Sequence, residues 1–452
     1  MKFTNLSRGN EIGSNSYLLE CGRTNIVLDS GMHPKRDGLD STPDFPLLRD
    51  RMIDTIFVTH SHLDHVGTLP LLQKEHPEAD VYMSPETIDL ADALLHNSVN
   101  VMRSRAIEEE ILEYPLFEHY DVEEESKLWL PARTRNRFSV GRDEDPVTAE
   151  FFDAGHILGS VGVRLEHDGK SLFYTGDVHF EDQTISMAAD FPRDHVDTLV
   201  METTRGASER RPDYTRSSEI TRLIDAIEET LERGGAVLIP VFAMGKTQEL
   251  LTILHGCKQR GLLRDAPLHM GGLSTKMTTI FDRHAATTRR KNKGFRILRE
   301  VDLQMRRRRD RSPLRPQAGG IYALSSGMMT EKTTSNQFAR GFLKNPKNSI
   351  IFVGYADPAS PAGAILEADR GDQIQLDHRY PAEPLNCDVH RFDFSGHATR
   401  EELVHFATDV RPKKVVLVHG DTPALDWFQQ TLSRELPDSE ILIPQPGQAL
   451  EL

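Results

Sequence analysis

At 452 residues, with 38% hydrophobic and 27% charged residues, the chain has the composition of an ordinary folded protein and the length for two or three domains of roughly 100–200 residues each. A mean hydropathy of -0.46 and the lack of any apolar run of spanning length exclude a membrane-embedded protein. A net charge of -15, from 54 basic and 69 acidic residues, excludes a surface built for indiscriminate nucleic-acid binding. The opening MKFTNLSRGNEIGSNSYLLE has no basic segment followed by an apolar one, so no secretory signal is expected and the expected compartment is cytoplasmic. Cys21, Cys257 and Cys387 are widely spaced and odd in number, which predicts reduced thiols packed as small hydrophobes rather than a thiolate metal site.

Along the chain, short apolar runs repeatedly stop on a polar residue: NIVLDSG, TIFVTHSH, SLFYTGD, DTLVMETT, AVLIPVF, GIYALSS, SIIFVGY and KVVLVHGD. These predict buried strands. Between them lie helical patterns such as RSSEITRLIDAIEETLERGG, in which Ile220, Leu223, Ile224, Ile227 and Leu231 share a face and Gly234 supplies a stop. The alternation predicts an α/β protein with helices layered on sheets. Ligands of open α/β sheets gather at the carboxyl ends of strands, where this chain places Asp29, His60, Asp177, Glu202 and His419. From about 206 to 383 such residues vanish from strand ends, and FSGHA and VLVHGD then bring them back. That order predicts an inserted domain at 206–383, between a first part at 1–205 and a returning part at 384–452. Within the insertion, Arg289, Arg290, Lys291, Lys293, Arg306, Arg307, Arg308 and Arg309 form a basic stretch, read either as a solvated loop or as a phosphate-attracting patch.

The densest chemistry is FVTHSHLDHVGTLP. Imidazole nitrogen and carboxylate oxygen are the usual ligands of a hydrolytic divalent metal. His60 and His62, two apart at a strand end, can face the same way. Asp64 and His65 are adjacent and cannot easily join them around one ion, so two neighbouring ions are predicted. His156 in AGHILGS, Asp177 in YTGD and His419 in VHGD are the remaining candidate ligands, with Asp177 suited to bridging because it offers two oxygens.

With VLDSG, THSHLDH, AGHILGS and TGD in this order, the sequence resembles the metallo-β-lactamase superfamily. Glu202 in METT, His397 in FSGHA and His419 in VLVHGD extend the resemblance to its β-CASP nucleases, over nearly the whole chain. That resemblance implies an αββα sandwich interrupted by an α/β β-CASP domain. It implies two Zn(2+) ions, one held by His60, His62 and His156, the other by Asp64, His65 and His419, with Asp177 between them. It further implies hydrolysis of RNA phosphodiester bonds by a metal-activated hydroxide, with His397 as proton donor and Glu202 holding it. Asp64, Asp177, Glu202 and His397 are thus the expected catalytic set. Asp29 is expected either to orient a ligand from behind or simply to be satisfied by turn amides. Histidine at position 419 resembles the RNA-processing rather than the DNA-processing branch. The expected substrate is single-stranded RNA, cut internally or from the 5′ end, and a homodimer is a further expectation. A DNA nuclease of the same family and a dinuclear-zinc ester or lactone hydrolase are the competing readings.

Three stretches depart from the family pattern: Arg205 stands where a tyrosine is usual, SSGMMTEKTTSNQF lacks the glycine-rich step after SSGM, and VGYADPASPAGAIL lacks a glycine followed by arginine. Backbone amides at glycines and arginine forks are common phosphate holders. Lys246, Lys332 and Arg340 are candidates to compensate, against the alternative that each is a solvated surface cation.

Overall fold

Each apolar run named above forms a strand: Thr24–Leu28, Thr55–Phe57, Lys170–Tyr174, Thr198–Glu202, Val237–Pro240, Ile321–Leu324, Ser349–Phe352 and Lys414–Val418. The protein is represented by a computed structural model that describes residues 1–305 and 315–452, so Arg306, Arg307, Arg308 and Arg309 of the basic stretch lie outside the described residues. The helix expected from Ile220 to Leu231 spans Arg216–Glu232, its amino end capped by the Thr215 hydroxyl, which accepts from the Ser218 amide.

The described chain divides into two compact units, one of Met1–Asp182, Ala188–Arg210 and His397–Leu452, the other of Gln183–Met187 and Arg211–Gly396. The first unit holds two seven-stranded sheets. In one, Lys2–Asn5, Tyr17–Cys21 and Thr24–Leu28 run antiparallel, and Thr55–Phe57 then joins Thr24–Leu28 in parallel. In the other, Lys170–Tyr174, Thr198–Glu202 and Lys414–Val418 are parallel neighbours. Phe3, Leu19, Ile26, Leu28 and Phe57 of the first sheet pack against Val147, Phe151, Val163, Leu172 and Val200 of the second. On the second sheet's other face, Phe173, Leu199 and Met201 meet Leu403 and Phe406 of the helix Arg400–Val410, and Leu425 and Phe428 of the helix Thr422–Glu435. The alternation of inward and outward apolar residues along these strands follows from the two-residue side-chain period.

The second unit is built on a parallel sheet in the order Leu303–Met305, Leu268–Gly271, Ile321–Leu324, Val237–Pro240, Ser349–Phe352, Asp388–Arg391. Its last strand carries this unit beyond 384, the return point expected from the sequence, because Asp388–Arg391 is hydrogen-bonded in register to Ser349–Phe352. Among the described residues no helix is long and apolar enough to cross a membrane.

Register determines what meets at the strand ends of the first unit. Leu28 pairs with Phe57, which sets Asp29 beside the segment leading to His60; Tyr174 pairs with Val200 and Glu202 with Val418, which sets Asp177, Glu202 and His419 along one edge. Gly31 locks the loop after Asp29 against this region: a Cβ there would lie 1.8 Å from the Asp64 carbonyl oxygen and 2.7 Å from the Asn15 nitrogen. Both neighbours are backbone and cannot swing away. Gly31→Ala is therefore expected to lower the urea midpoint by the equivalent of at least about 1–3 kcal/mol. Gly256→Ala, in the helix Lys246–Gln259 with open space around the added methyl, should instead stabilise by up to about 1 kcal/mol.

Candidate metal centre

The stretch from Thr55 to Val66 changes from strand to helix within a few residues. His60 follows the strand end, His62 is the residue before the short helix Leu63–Val66, and Asp64 and His65 fall in its first turn. Extended backbone up to His62 keeps His60 and His62 on one side. The helical turn then swings Asp64 and His65 to a second position. His156 arrives on the turn after the strand Asp145–Asp153, Asp177 on the turn after Lys170–Tyr174, and His419 after Lys414–Val418. Asp29 and His419 both have left-handed backbone, φ of 60° and 52°, which is costly for residues other than glycine and concentrates at functional sites.

These side chains form two clusters around Asp177. His60 Nε2 lies 3.2 Å from His62 Nδ1, His156 Nε2 lies 3.1 Å from the same nitrogen, and Asp177 Oδ2 lies 3.5 Å from His60 Nε2 and 3.6 Å from His156 Nε2. On the other side, Asp177 Oδ1 is 3.4 Å from His65 Nε2 and 3.4 Å from His419 Nδ1, while Asp64 Oδ2 is 3.3 Å from His419 Nε2 and 3.9 Å from His65 Nε2. Each cluster offers converging donors at spacings that suit a shared divalent ion. Among the described residues no hydrogen bond falls on the buried Asp177 Oδ1, the pattern expected of a metal-ligand oxygen. Glu202 and His397 adjoin the first cluster: His397 Nδ1 is 3.1 Å from Glu202 Oε2 and 3.9 Å from Asp177 Oδ2, and Glu202 Oε1 accepts from the Val178 amide at 2.7 Å.

Burial and charge set the protonation of this group. Burial pushes the His60 and His62 rings below the ordinary histidine value, His62 to about 4, which leaves neutral imidazoles with lone pairs to offer. Burial would also depress His65, but Asp177, Asp29 and Asp64 together lift it well above that value. Burial works against ionised Asp177 as well. The surrounding His419, His65, His397 and His60 outweigh it and hold the carboxyl well below the usual range.

All ten residues named from the sequence, Asp29, His60, His62, Asp64, His65, His156, Asp177, Glu202, His397 and His419, are gathered in the first unit. Of the two readings of Asp29, the geometry favours the orienting one: its Oδ2 lies 2.8 Å from His65 Nδ1, while among the described residues the backbone amide on its side chain is that of Thr59, not of its own turn. Four further residues escaped the sequence reading. Tyr174 donates its hydroxyl to Asp29 at 2.8 Å, the Thr59 hydroxyl lies between Asp29 and His60, the Thr204 hydroxyl is 2.8 Å from His419 Nδ1, and the Asn15 amide donates to the Asp64 carbonyl at 2.9 Å. The signal for three of them was adjacency, since Thr59, Tyr174 and Thr204 stand within three positions of a strand-end ligand or acid. A fourth His/acid grouping, Glu331, Asp377 and His378 in the second unit, is accounted for by the pairing of His378 with Glu331 at 2.6 Å and of Asp377 with Arg379 at 2.6 Å. Of the cations considered as phosphate holders, Lys246 donates to the Phe394 carbonyl and Arg340 lies over the Tyr380 ring.

Comparison with known proteins bears on what this centre is. Residues 9–224 match the profile of the metallo-beta-lactamase superfamily, residues 247–365 that of the Beta-Casp domain, and residues 383–444 that of a Zn-dependent metallo-hydrolase RNA specificity domain. The fold and site thus define a metal-dependent hydrolase. The chain belongs to the β-CASP nucleases of the metallo-β-lactamase superfamily. An RNase J-like protein of Methanocaldococcus jannaschii is 28% identical over 94% of both chains. The transcription termination factor FttA of Pyrococcus abyssi is 29% identical over 93% of this chain and 67% of its own length. Subunit 3 of the cleavage and polyadenylation specificity factor of Dictyostelium discoideum is 27% identical over 100% of this chain and 57% of its own. A solved structure of a protein of unknown function from Enterococcus faecalis V583 aligns over 100% of this chain with a TM-score of 0.60 at 14% identity, a likeness of fold.

The Tyr174 hydroxyl is buried against Asp29, so Tyr174→Phe removes one donor from a buried carboxylate with little change of shape. A loss of about 1–3 kcal/mol in chemical unfolding of the metal-free protein is the expected result.

Proposed function

We propose that this protein is a zinc-dependent ribonuclease that cleaves single-stranded RNA at the centre described above. The observation that carries the reading is Asp177, with one oxygen toward His60 and His156 and the other toward His65 and His419. On this reading His60, His62 and His156 hold one Zn(2+), Asp64, His65 and His419 hold the other, and Asp177 serves both. Bound zinc would make water a competent nucleophile at neutral pH and offset negative charge gathering on the phosphate.

The chain's own residues do the rest. Glu202, buried and fixed by the Val178 amide, accepts the Nδ1 proton of His397. With Nδ1–H held by Glu202, the proton available for transfer is the one on Nε2 of the doubly protonated His397 ring, and giving it to the leaving ribose oxygen makes His397 the general acid. Most of the centre is buried, while the side chains of His397 and Asp64 are 22% and 21% exposed, so they mark where a phosphate enters. A single strand can turn one phosphate and its splayed base into such an opening more easily than a duplex can. Relatives named as RNases, and the match to an RNA specificity domain over residues 383–444, support RNA as the substrate class.

The test uses one end-labelled RNA and the DNA of identical sequence, each incubated with zinc-loaded protein and resolved on a gel. Cleavage of RNA in preference to DNA is expected, and equal cutting of both would overturn the RNA assignment. His397→Ala should keep its zinc and lose roughly 10²–10⁴-fold in rate. Asp177→Ala should lose both equivalents of zinc, whereas His156→Ala should lose one, as measured by elemental analysis of the purified variants.

A further inference from the structure

We propose that Thr59 is a positioning residue that lets one buried carboxylate govern both metal clusters. The inference rests on the two-cluster reading above and concerns which ring nitrogen each ligand presents to its cluster. Asp29 is fully buried, and its oxygens receive the Thr59 amide at 2.7 Å, the Thr59 hydroxyl at 2.9 and 3.0 Å, the Tyr174 hydroxyl at 2.8 Å and His65 Nδ1 at 2.8 Å. A carboxylate ringed by donors only accepts, so the single proton of the Thr59 hydroxyl is committed to Asp29. What Thr59 has left for His60 Nδ1, 3.1 Å away, is an oxygen lone pair.

That order of donors fixes the tautomer of a neutral His60. Its proton sits on Nδ1, facing Thr59, and its Nε2 lone pair faces His62 Nδ1 and Asp177 Oδ2. Asp29 holds His65 directly, accepting from its Nδ1–H and so aiming Nε2 at Asp177 Oδ1. One ligand of each cluster is therefore set by the same carboxylate, His65 in a single step and His60 in two. The Thr-Gly-Asp turn holds the relay in place. Gly176 has φ of 52° and packs so closely that a Cβ there would lie 2.9 Å from the Thr59 Cβ, which restricts rotation of the threonine side chain. Hydrogen-bonding partners behind metal-binding histidines typically carry 10–100-fold in metal affinity.

The experiment compares zinc binding by the intact protein, Thr59→Val and Thr59→Ser in competition with a chelator, together with nitrogen-detected NMR of the metal-free wild type. Valine keeps the shape of threonine and removes the hydroxyl; serine keeps the hydroxyl. Thr59→Val should weaken one of the two zinc equivalents by roughly 10–100-fold while Thr59→Ser stays close to wild type. In a His156→Ala background, where the His60 cluster is already crippled, Thr59→Val should change the remaining equivalent far less. Zinc binding by Thr59→Val equal to wild type, or by Thr59→Ser as weak as by Thr59→Val, would overturn the relay. The NMR measurement needs no variant to fold: a neutral His60 protonated on Nδ1 supports the relay, and one protonated on Nε2 defeats it even where two zinc ions bind normally. A wild type that takes up no zinc would defeat the two-metal reading, and the relay with it.

Discussion

The first unit is organised around a buried negative charge. Asp177 is 3% exposed and carries an oxygen on which, among the described residues, no hydrogen bond falls, a costly placement unless positive charge is brought to it. Five imidazoles lie within 4 Å of its oxygens, those of His60, His65, His156, His397 and His419, and they supply that charge or a lone pair to hold a cation. Taking either partner away leaves the other stranded in a medium of low polarisability, so the cluster is stable as a set and unstable in parts.

Holding such a set requires a rigid frame, and parallel strand pairing provides it. The ladders joining Leu28 to Phe57, Tyr174 to Val200 and Glu202 to Val418 bring five strand ends to one edge of a packed sandwich. Side chains leaving these ends start from backbone whose position is determined by hydrogen bonds several residues back. Left-handed backbone at Asp29 and His419 then turns the chain at the point of use. Strain of this kind costs of order 1–3 kcal/mol per residue, and it persists because the surrounding sheet over-determines the conformation.

Much of this was legible in the sequence because the metal-type residues sit one to three positions past apolar runs, and buried parallel strands are near-continuous apolar runs. Asp29, His60, Asp177, Glu202 and His419 could be placed by that rule alone. Less legible was the layer behind them. Thr59, Tyr174, Thr204 and Asn15 are single polar residues in segments where threonine and tyrosine are also ordinary strand formers, and only three-dimensional register shows which of them turn inward. The antiparallel strands Arg137–Arg142 and Asp145–Asp153 were also hard to read. Their exposed and buried residues alternate, so they lack the apolar run that marks the parallel strands. The strand Asp388–Arg391 is partly exposed along its length and sits at a sheet edge, which explains why the second unit extends past the point where composition changes.

The same logic separates what the family likeness explains from what this chain adds. Metal-ligand chemistry demands a small set of residue types at fixed places. Phosphate binding makes no such demand, since backbone amides, lysines and arginines can substitute for one another at different positions. Divergence is therefore expected to collect in the loops of the second unit rather than at the metal ligands. The stretches after SSGM and after VGY fall there, and Arg205 falls in the first unit three positions after Glu202, while the ten residues of the centre stay together in the first unit. Two of the cations in that second unit, Lys246 and Arg340, already serve internal contacts with Phe394 and Tyr380. Recruiting either to a phosphate would exchange a contact within the unit for one with substrate. The difference between the two interactions, rather than the strength of the new one, would then set how much each contributes to holding RNA.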